Sequence, residues 1–387
     1  MKKYRIGWAV CIVLFAVNFL FSEGYAGPYM LALVLLVPAM SVLHTALTCR
    51  GIDAGLVMKD ICVKGESVSG CLKIKNRGSF ALFKIRVCLS AENLMTGEKH
   101  QRVFDTAISG KRETEIEFMM KNSLCGMIRL TFEEVTVYDI FGIYGKKIKT
   151  GFEEGIKVLP DMFPMVPHIL PGIASDSESI EYSLQKPGDD ASEIFGIREY
   201  REGDSMRNIH WKLTGKCDDI MVKLPSLPLE NSILLLLETG IAGGGRITPE
   251  VCDALTEIYV TLSQSLAGNG IPHSLAWFDR RTDKMFLFDI DNEDDLNSAM
   301  GRLLSSGHGA DEISTAGHYI REGESFKKAH LVYISPQAAG GMEEMFPGAG
   351  ITQIICSAEA GASAGGDGNV IICTPQTYMH EVHEINI

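Results

Sequence analysis

Two apolar runs at the start of the chain constrain its fold more than any other feature. The first covers about residues 6–22 and the second residues 28–47, and neither contains Asp, Glu, Lys or Arg. An α-helix needs about 17–25 apolar residues to cross a bilayer, so each run predicts one span. The pair therefore predicts a transmembrane helical hairpin over residues 1–49, with the lipid bilayer as a partner.

The charges around this hairpin predict its orientation. Basic residues flank it on both sides: Lys2, Lys3 and Arg5 before it, and Arg50, Lys59 and Lys64 after it. The loop between the two runs contains no lysine or arginine. The positive-inside rule then predicts a multi-pass protein of the inner (cytoplasmic) membrane with the bulk of the chain in the cytoplasm. A signal peptide cleaved near residues 24–26 is the alternative for the first run, and it would leave the second run as the span.

Composition excludes several classes of partner. The formal net charge is −13, which disfavours nucleic acid and anionic lipid as partners of the chain as a whole. The ten cysteines form no CxxC pair and have no regular spacing. That pattern favours free thiols over structural zinc or a disulfide framework. No cofactor is predicted.

Two segments with different periodicity follow the hairpin. Residues 50–165 contain short alternating apolar runs separated by turns, which predicts an antiparallel β-sandwich. Residues 166–194 are rich in Pro, Ser and acidic residues and are predicted to be a linker. Residues 232–387 begin with an uninterrupted apolar strand and alternate strand with helix, which predicts an open α/β sheet of Rossmann-like type.

Residues 195–231, called here the signature segment, have the most distinctive pattern in the chain. Its candidate residues are Arg198, Tyr200, Gly203, Asp204, Arg207, His210, Trp211 and Lys212. Acidic and basic side chains nearly balance, whereas a nucleic-acid patch is lopsidedly basic. The first interpretation is structural, with arginine–aspartate pairs buried around the Trp211 indole. The alternative is a hydrolase that uses His210 with Asp204 as its acid–base pair.

These residues, with Glu199, Ile209, Met221 and Val222, resemble the hallmark of the bacterial "domain of unknown function 58" family. The resemblance implies a membrane-anchored protein with a C-terminal von Willebrand A-like domain. It also implies an association with MoxR-type AAA+ ATPases. No catalytic residues are established for the family. The resemblance therefore implies a non-enzymatic protein-interaction or assembly factor, whose signature residues are structural or dock a partner.

Glu238 marks the one position where such a domain would hold a metal ion. Metal-binding von Willebrand A domains end their first strand in Asp-x-Ser-x-Ser, whereas residues 238–242 read Glu-Thr-Gly-Ile-Ala. Oxygen ligation of Mg²⁺ needs several such groups, so we expect no metal here and regard Glu238 as a degenerate metal position. A metal-dependent binding protein that uses Glu238 is the alternative. The neighbouring glycines, Gly240 and Gly245, lack the Lys and hydroxyl of a phosphate loop, so no bound nucleotide is predicted.

Overall fold

Two N-terminal apolar helices precede a β-rich body that contains several sheets. The computed structural model describes residues 2–21, 24–49, 51–169, 181–201, 204–216, 219–242, 245, 247–322, 328–358 and 369–387. The chain forms two compact units. The first comprises Met1–Asn93, Glu98–Ser123 and Met127–Leu159, and the second Leu94–Gly97, Leu124–Gly126 and Pro160–Ile387.

The two helices match the predicted apolar runs. Helix α1 is Lys2–Phe21 and helix α2 is Ala26–Thr48, with Pro38 inside it. By length and composition both could cross a membrane. The prediction of two apolar N-terminal helices is confirmed.

The rest of the first unit consists of two sheets that share one core. Its strands are β1 (Ile52–Val57), β2 (Ile61–Val63), β3 (Ser67–Asn76), β4 (Leu82–Asn93), β5 (Lys99–Ile108), β6 (Glu113–Lys121), β7 (Gly126–Tyr138) and β8 (Gly145–Leu159). The orders are β1-β3-β6 and β2-β8-β7-β4-β5, with β2 and β8 parallel. Alternate side chains of each strand, such as Leu72 and Ile74 of β3 and Leu130 and Phe132 of β7, fill the core between the sheets.

The second unit alternates strands and helices. Its strands are β9 (Val166–His168), β10 (Glu181–Glu199), β11 (Met221–Leu237), β12 (Gly240–Ala242), β13 (His273–Asp279), β14 (Lys284–Ile290), β15 (Gly309–Asp311), β16 (Lys328–Ser335), β17 (Gly350–Cys356), β18 (Asn369–Cys373) and β19 (Glu384–Asn386). Its helices are α3 (Trp211–Thr214), α4 (Pro249–Gly268), α5 (Glu293–Leu303), α6 (Thr315–Arg321), α7 (Met342–Met345) and α8 (Tyr378–Glu381).

Its main sheet has the order β14-β13-β11-β16-β17-β18. All neighbouring pairs in this order are parallel except β13 with the edge strand β14. The chain leaves β11 towards β13 on one side and later returns to β16 on the other. The carboxyl ends of β11, β13 and β16 therefore meet where the strand order reverses, the usual position of sites in open α/β sheets.

The structure differs from the predicted linker over residues 166–194. Residues 170–180 lie outside the described part, but β9 and most of β10 fall within this range. Strand β10 pairs antiparallel with the first half of β11, with register shifts around Pro187 and Ser226. Proline and glycine usually mark turns, and in a strand they are tolerated at such irregular positions, so composition alone indicated a loop.

Candidate functional site

The signature segment is a hairpin end held by one ion pair. The Arg198 guanidinium donates two hydrogen bonds of 2.7 Å to the two carboxylate oxygens of Asp204. The Arg201 amide donates a third to Asp204, at 2.8 Å. The bonds from Arg198 and Arg201 lower the pKa of the Asp204 carboxyl. An arginine–aspartate pair is thus present, but it is half-buried and not buried as the sequence suggested.

Trp211 does not lie inside that pairing. Its side chain is 71% exposed and that of Met206 is 75% exposed. Ile209 and Val222 form an isolated bridge and take the buried positions instead. The segment contains only a 3-10 turn at Met206–Asn208 and the single turn of α3, so Trp211 has no long helix face to pack beneath.

The structure does not bring His210 and Asp204 together. His210 caps α3, because its Nδ1 accepts a 3.3 Å hydrogen bond from the Leu213 amide. Asp204 is engaged by arginine. Tyr200 is 37% exposed, and Arg207 and Lys212 are also exposed. Gly203 lies outside the described residues.

Glu238 is the centre of a second cluster, at the carboxyl end of β11. Its carboxylate is buried and accepts hydrogen bonds from five groups: the Gly240 amide (2.9 Å), the Thr315 amide (2.8 Å), the Thr315 hydroxyl (2.8 Å), the Tyr333 hydroxyl (2.6 Å) and Arg280 Nη2 (2.9 Å). Burial and the Glu238 charge raise the pKa of Tyr333, which keeps this phenol a donor. The lone pairs of Glu238 are therefore directed at protein donors.

Arg280 supplies the positive charge of this cluster. It also donates through Nη1 to Asp311 and, at 3.0 Å, to the Ile313 carbonyl. His318 Nε2 lies 3.0 Å from the same Asp311 carboxylate, and its ring stacks on Phe278 with centroids 3.7 Å apart. Burial opposes ionisation of Asp311, but the bonds from Ile313 and His318 and the Arg280 charge outweigh it and hold the pKa at about 2.

The guanidinium of Arg280 fills the space at the end of β11. A Cβ placed on Gly240 would lie 2.8 Å from Arg280 Nη2, so only glycine fits there without displacement. In the described ranges, three or more His, Cys, Asp or Glu side chains nowhere converge as a metal-binding group. The Glu238 carboxylate, the degenerate metal position of the sequence analysis, therefore pairs with the guanidinium of Arg280.

Sequence reasoning missed Arg280, Asp311, Thr315 and Tyr333. Arg280 directly follows β13 and Asp311 ends β15, so their positions after strands were the available signal. His308 was also missed. Both of its ring nitrogens are buried, and neither has a hydrogen-bond partner among the described residues. Burial and the nearby Arg280 charge lower the pKa of His308 to about 4, so the ring is neutral.

No family model and no curated protein matches the chain. The CARDB domain of a Pyrococcus furiosus protein is 13% identical, covers 28% of this chain and 88% of that chain, and has a TM-score of 0.22. A cohesin module from a Clostridium perfringens glycoside hydrolase is 8% identical over 28% of this chain and 96% of that chain, at 0.23. A β-glucosidase from Listeria innocua is 16% identical over 28% and 16%, at 0.19. TM-scores this low carry no information about activity or partners.

Proposed function

We propose that the chain is a membrane-anchored, non-enzymatic protein-interaction factor that docks an AAA+ ATPase of the MoxR type. The observation that carries the proposal is the exposure of Trp211 and Met206 in the signature segment. Large apolar side chains such as these are enriched at the centres of protein interfaces, and burying one stabilises a complex by about 1.5–3 kcal/mol.

The surroundings of Trp211 support docking rather than catalysis. The two-bond clamp between Arg198 and Asp204 holds the hairpin end in one shape before a partner arrives, which lowers the entropic cost of binding. The same clamp occupies the carboxylate that a hydrolase would use with His210. A preformed, partly apolar surface beside charged residues is the usual anatomy of an interface.

The C-terminal unit is proposed to be von Willebrand A-like, as the family resemblance implies. The parallel strand order with a switch between β13 and β16 supports that assignment. The Glu238–Arg280 pair supports a domain that keeps its shape without a divalent cation. Both apolar helices support an anchor in the cytoplasmic membrane, with the basic flanks on the cytoplasmic side.

The test is photo-crosslinking and pull-down of the full-length chain from intact membranes. We expect the wild type to recover one AAA+ ATPase, and Trp211→Ala and Met206→Asp to lose it. Met119→Ala is the matched control, because Met119 is 60% exposed on β6, outside the signature segment. Equal recovery with all four chains would overturn the docking surface, and no ATPase from correctly inserted wild type would overturn the partner.

The effect of Mg²⁺ on the melting temperature distinguishes the proposed function from the alternative, a metal-dependent binding protein. If Glu238 held a cation, the wild type would be stabilised by added Mg²⁺ and Glu238→Gln would not. Since Arg280 already donates to this carboxylate, we expect the melting temperature of the wild type to be unchanged by Mg²⁺.

A further inference from the structure

Two loops of the first unit lie against the end of the helical hairpin where α1 begins and α2 ends. Arg5 Nε donates a 2.9 Å hydrogen bond to the Ile143 carbonyl, and the Ile140 amide donates one of 3.2 Å to Ser41 Oγ. Lys146 Nζ donates to the Ala46 carbonyl at 3.1 Å. The loop between β7 and β8 and the start of β8 are thus hydrogen-bonded both to the start of α1 and to the last turns of α2.

The loop between β3 and β4 reaches the same end of α2. The His44 ring packs edge-on against Phe80, with centroids 5.5 Å apart, and lies 6.1 Å from Phe83. On the other side of the hairpin, Trp8 packs against Phe141 at 6.0 Å. Phe80 and Phe141 of the two loops, and Phe83 at the start of β4, therefore contact the helices at this end of the hairpin.

The apolar side chains of these loops are nevertheless exposed to solvent. Phe80 and Ile140 are 61% and 57% exposed, and Phe83 and Phe141 are also exposed. In each loop a buried polar side chain forms a hydrogen bond with the loop backbone. Asn76 donates to the Phe80 carbonyl at 2.9 Å, and Asp139 accepts from the Phe141 amide at 3.2 Å. The two turns thus hold the phenylalanine side chains in the solvent. An exposed group of large apolar side chains is typical of an interaction site.

The depth of these contacts matches the surface of a bilayer. Helix α2 has 23 residues, which is about 35 Å at 1.5 Å per residue, whereas the hydrocarbon core is about 30 Å thick. His44 lies four residues before the end of α2, about 6 Å along the axis. Tyr4 and Trp8, at the same end of the hairpin, are the residue types that collect at the headgroup level.

The charge of the loops fits an anionic surface. Segments 77–86 and 140–149 contain six basic residues and no acidic one, although the whole chain has a net charge of −13. Three of the six pair with acidic residues of neighbouring strands: Arg77 with Asp53, Arg86 with Asp105 and Lys147 with Glu134. Lys84, Lys146 and Lys149 lie outside those pairs. Basic residues near a cytoplasmic leaflet are attracted to its anionic lipids.

We propose that these two loops, with the adjoining first residues of β4 and β8, form a lipid-contact surface. Phe80, Phe83, Ile140 and Phe141 enter the headgroup region of the cytoplasmic leaflet, with Lys84 and Lys146 at the phosphates. The proposal rests on the proposed anchoring of the hairpin in that membrane. As a consequence, the sheets of the first unit would keep one orientation at the bilayer surface, instead of being attached only through the chain that follows α2.

The test is fluorescence quenching of the full-length chain in phosphatidylcholine–phosphatidylglycerol vesicles, with the phosphatidylcholine brominated near the headgroup or unlabelled. In a background where Trp8 and Trp211 are phenylalanine, Phe80→Trp and Phe141→Trp report the loops. Val103→Trp is the matched control, since Val103 is 57% exposed and pairs with Cys88, six residues or about 20 Å along β4 from Leu82. Trp277 is buried and contributes a constant signal.

We expect bromine to reduce the emission of both loop tryptophans and to leave Val103→Trp unchanged. Trp8, measured in the Trp211→Phe chain, reports the anchor separately. Quenching of Trp8 with loop emission as bright as that of Val103→Trp would overturn the lipid contact and leave the anchor standing. Equal quenching of the loops and Val103→Trp would also overturn the proposed surface. An unquenched Trp8 would overturn both anchor and surface.

Discussion

Replacing Arg280 by methionine tests the cluster at the end of β11. The change keeps much of the apolar stem of the side chain and removes the guanidinium. Arg280 and Glu238 have only 6% and 5% of their side chains exposed, so their charges are shielded from water. Removing one partner of a buried pair costs about 3–5 kcal/mol, because the other charge remains buried.

Four donor groups still face Glu238 in the Arg280→Met chain, two of them from Thr315 and one each from Gly240 and Tyr333. They are neutral, so they orient the carboxylate without cancelling its charge. We therefore expect the cost to lie within that range rather than above it. Both variants remove Arg280 from Asp311, but only Arg280→Met leaves the Glu238 charge buried without a cation, so we expect the double variant Glu238→Gln with Arg280→Met to cost less.

Urea unfolding of the full chain in detergent micelles measures these free energies. Trp277 is the reporter, with Trp8 and Trp211 replaced by phenylalanine, because Trp277 lies on β13 three residues before Arg280 and donates a 2.9 Å bond to Ser306. Arg281→Met is the control: Arg281 is exposed, and we expect a change of about 0.5 kcal/mol or less. Similar midpoints for Arg280→Met and Arg281→Met would refute the reasoning.

Three further predictions concern single positions. The folded-state pKa of His308 is about 4, below the ordinary 6.5. The titration of His308 therefore does not change the free energy of unfolding above pH 6.5, but it lowers that free energy as the pH falls from 6.5 to 4, by about 3 kcal/mol in full. His308→Gln should flatten that part of the pH–stability profile, and an unchanged slope would contradict the assignment. Gly240→Ala places a Cβ 2.8 Å from the Arg280 guanidinium and should destabilise the chain by about 1–3 kcal/mol in urea unfolding, whereas a neutral result would mean that the guanidinium moves aside. Arg198→Lys keeps the charge but not the two-bond geometry with Asp204, so we expect faster amide hydrogen exchange in the signature segment, and unchanged exchange would show that the clamp does not hold it.

Local patterns predicted the elements whose causes are local. The uninterrupted apolar run ending at Leu237 is the buried end of β11, and Thr248 caps α4 with Pro249 at its first position, a pattern typical of a helix start. The two apolar runs are helices. Each of these features depends on residues within a few positions of one another, so spacing alone specifies them.

The features that the sequence could not supply depend on distant residues. Glu238 was a candidate, but its partners lie 42, 77 and 95 positions away at Arg280, Thr315 and Tyr333. The second half of the predicted linker is a strand because it pairs with β11, and its Pro187 and Gly188 indicate a turn until that partner is known. Arginine–aspartate pairs were predicted to be buried around the Trp211 indole, and nothing in the local pattern shows that Ile209 takes the buried position instead.

Strand β11 runs without interruption from the signature segment, where Met221 pairs with Glu199, to Leu237 in the middle of the main sheet. A partner that binds the exposed Trp211 and exerts a force parallel to β11 would apply tension along this central strand. The parallel hydrogen bonds of β11 to β13 and β16 would then resist together in shear, instead of opening one at a time. A force applied at the exposed Trp211 would therefore act along β11, which has a neighbouring strand on each side in the main sheet.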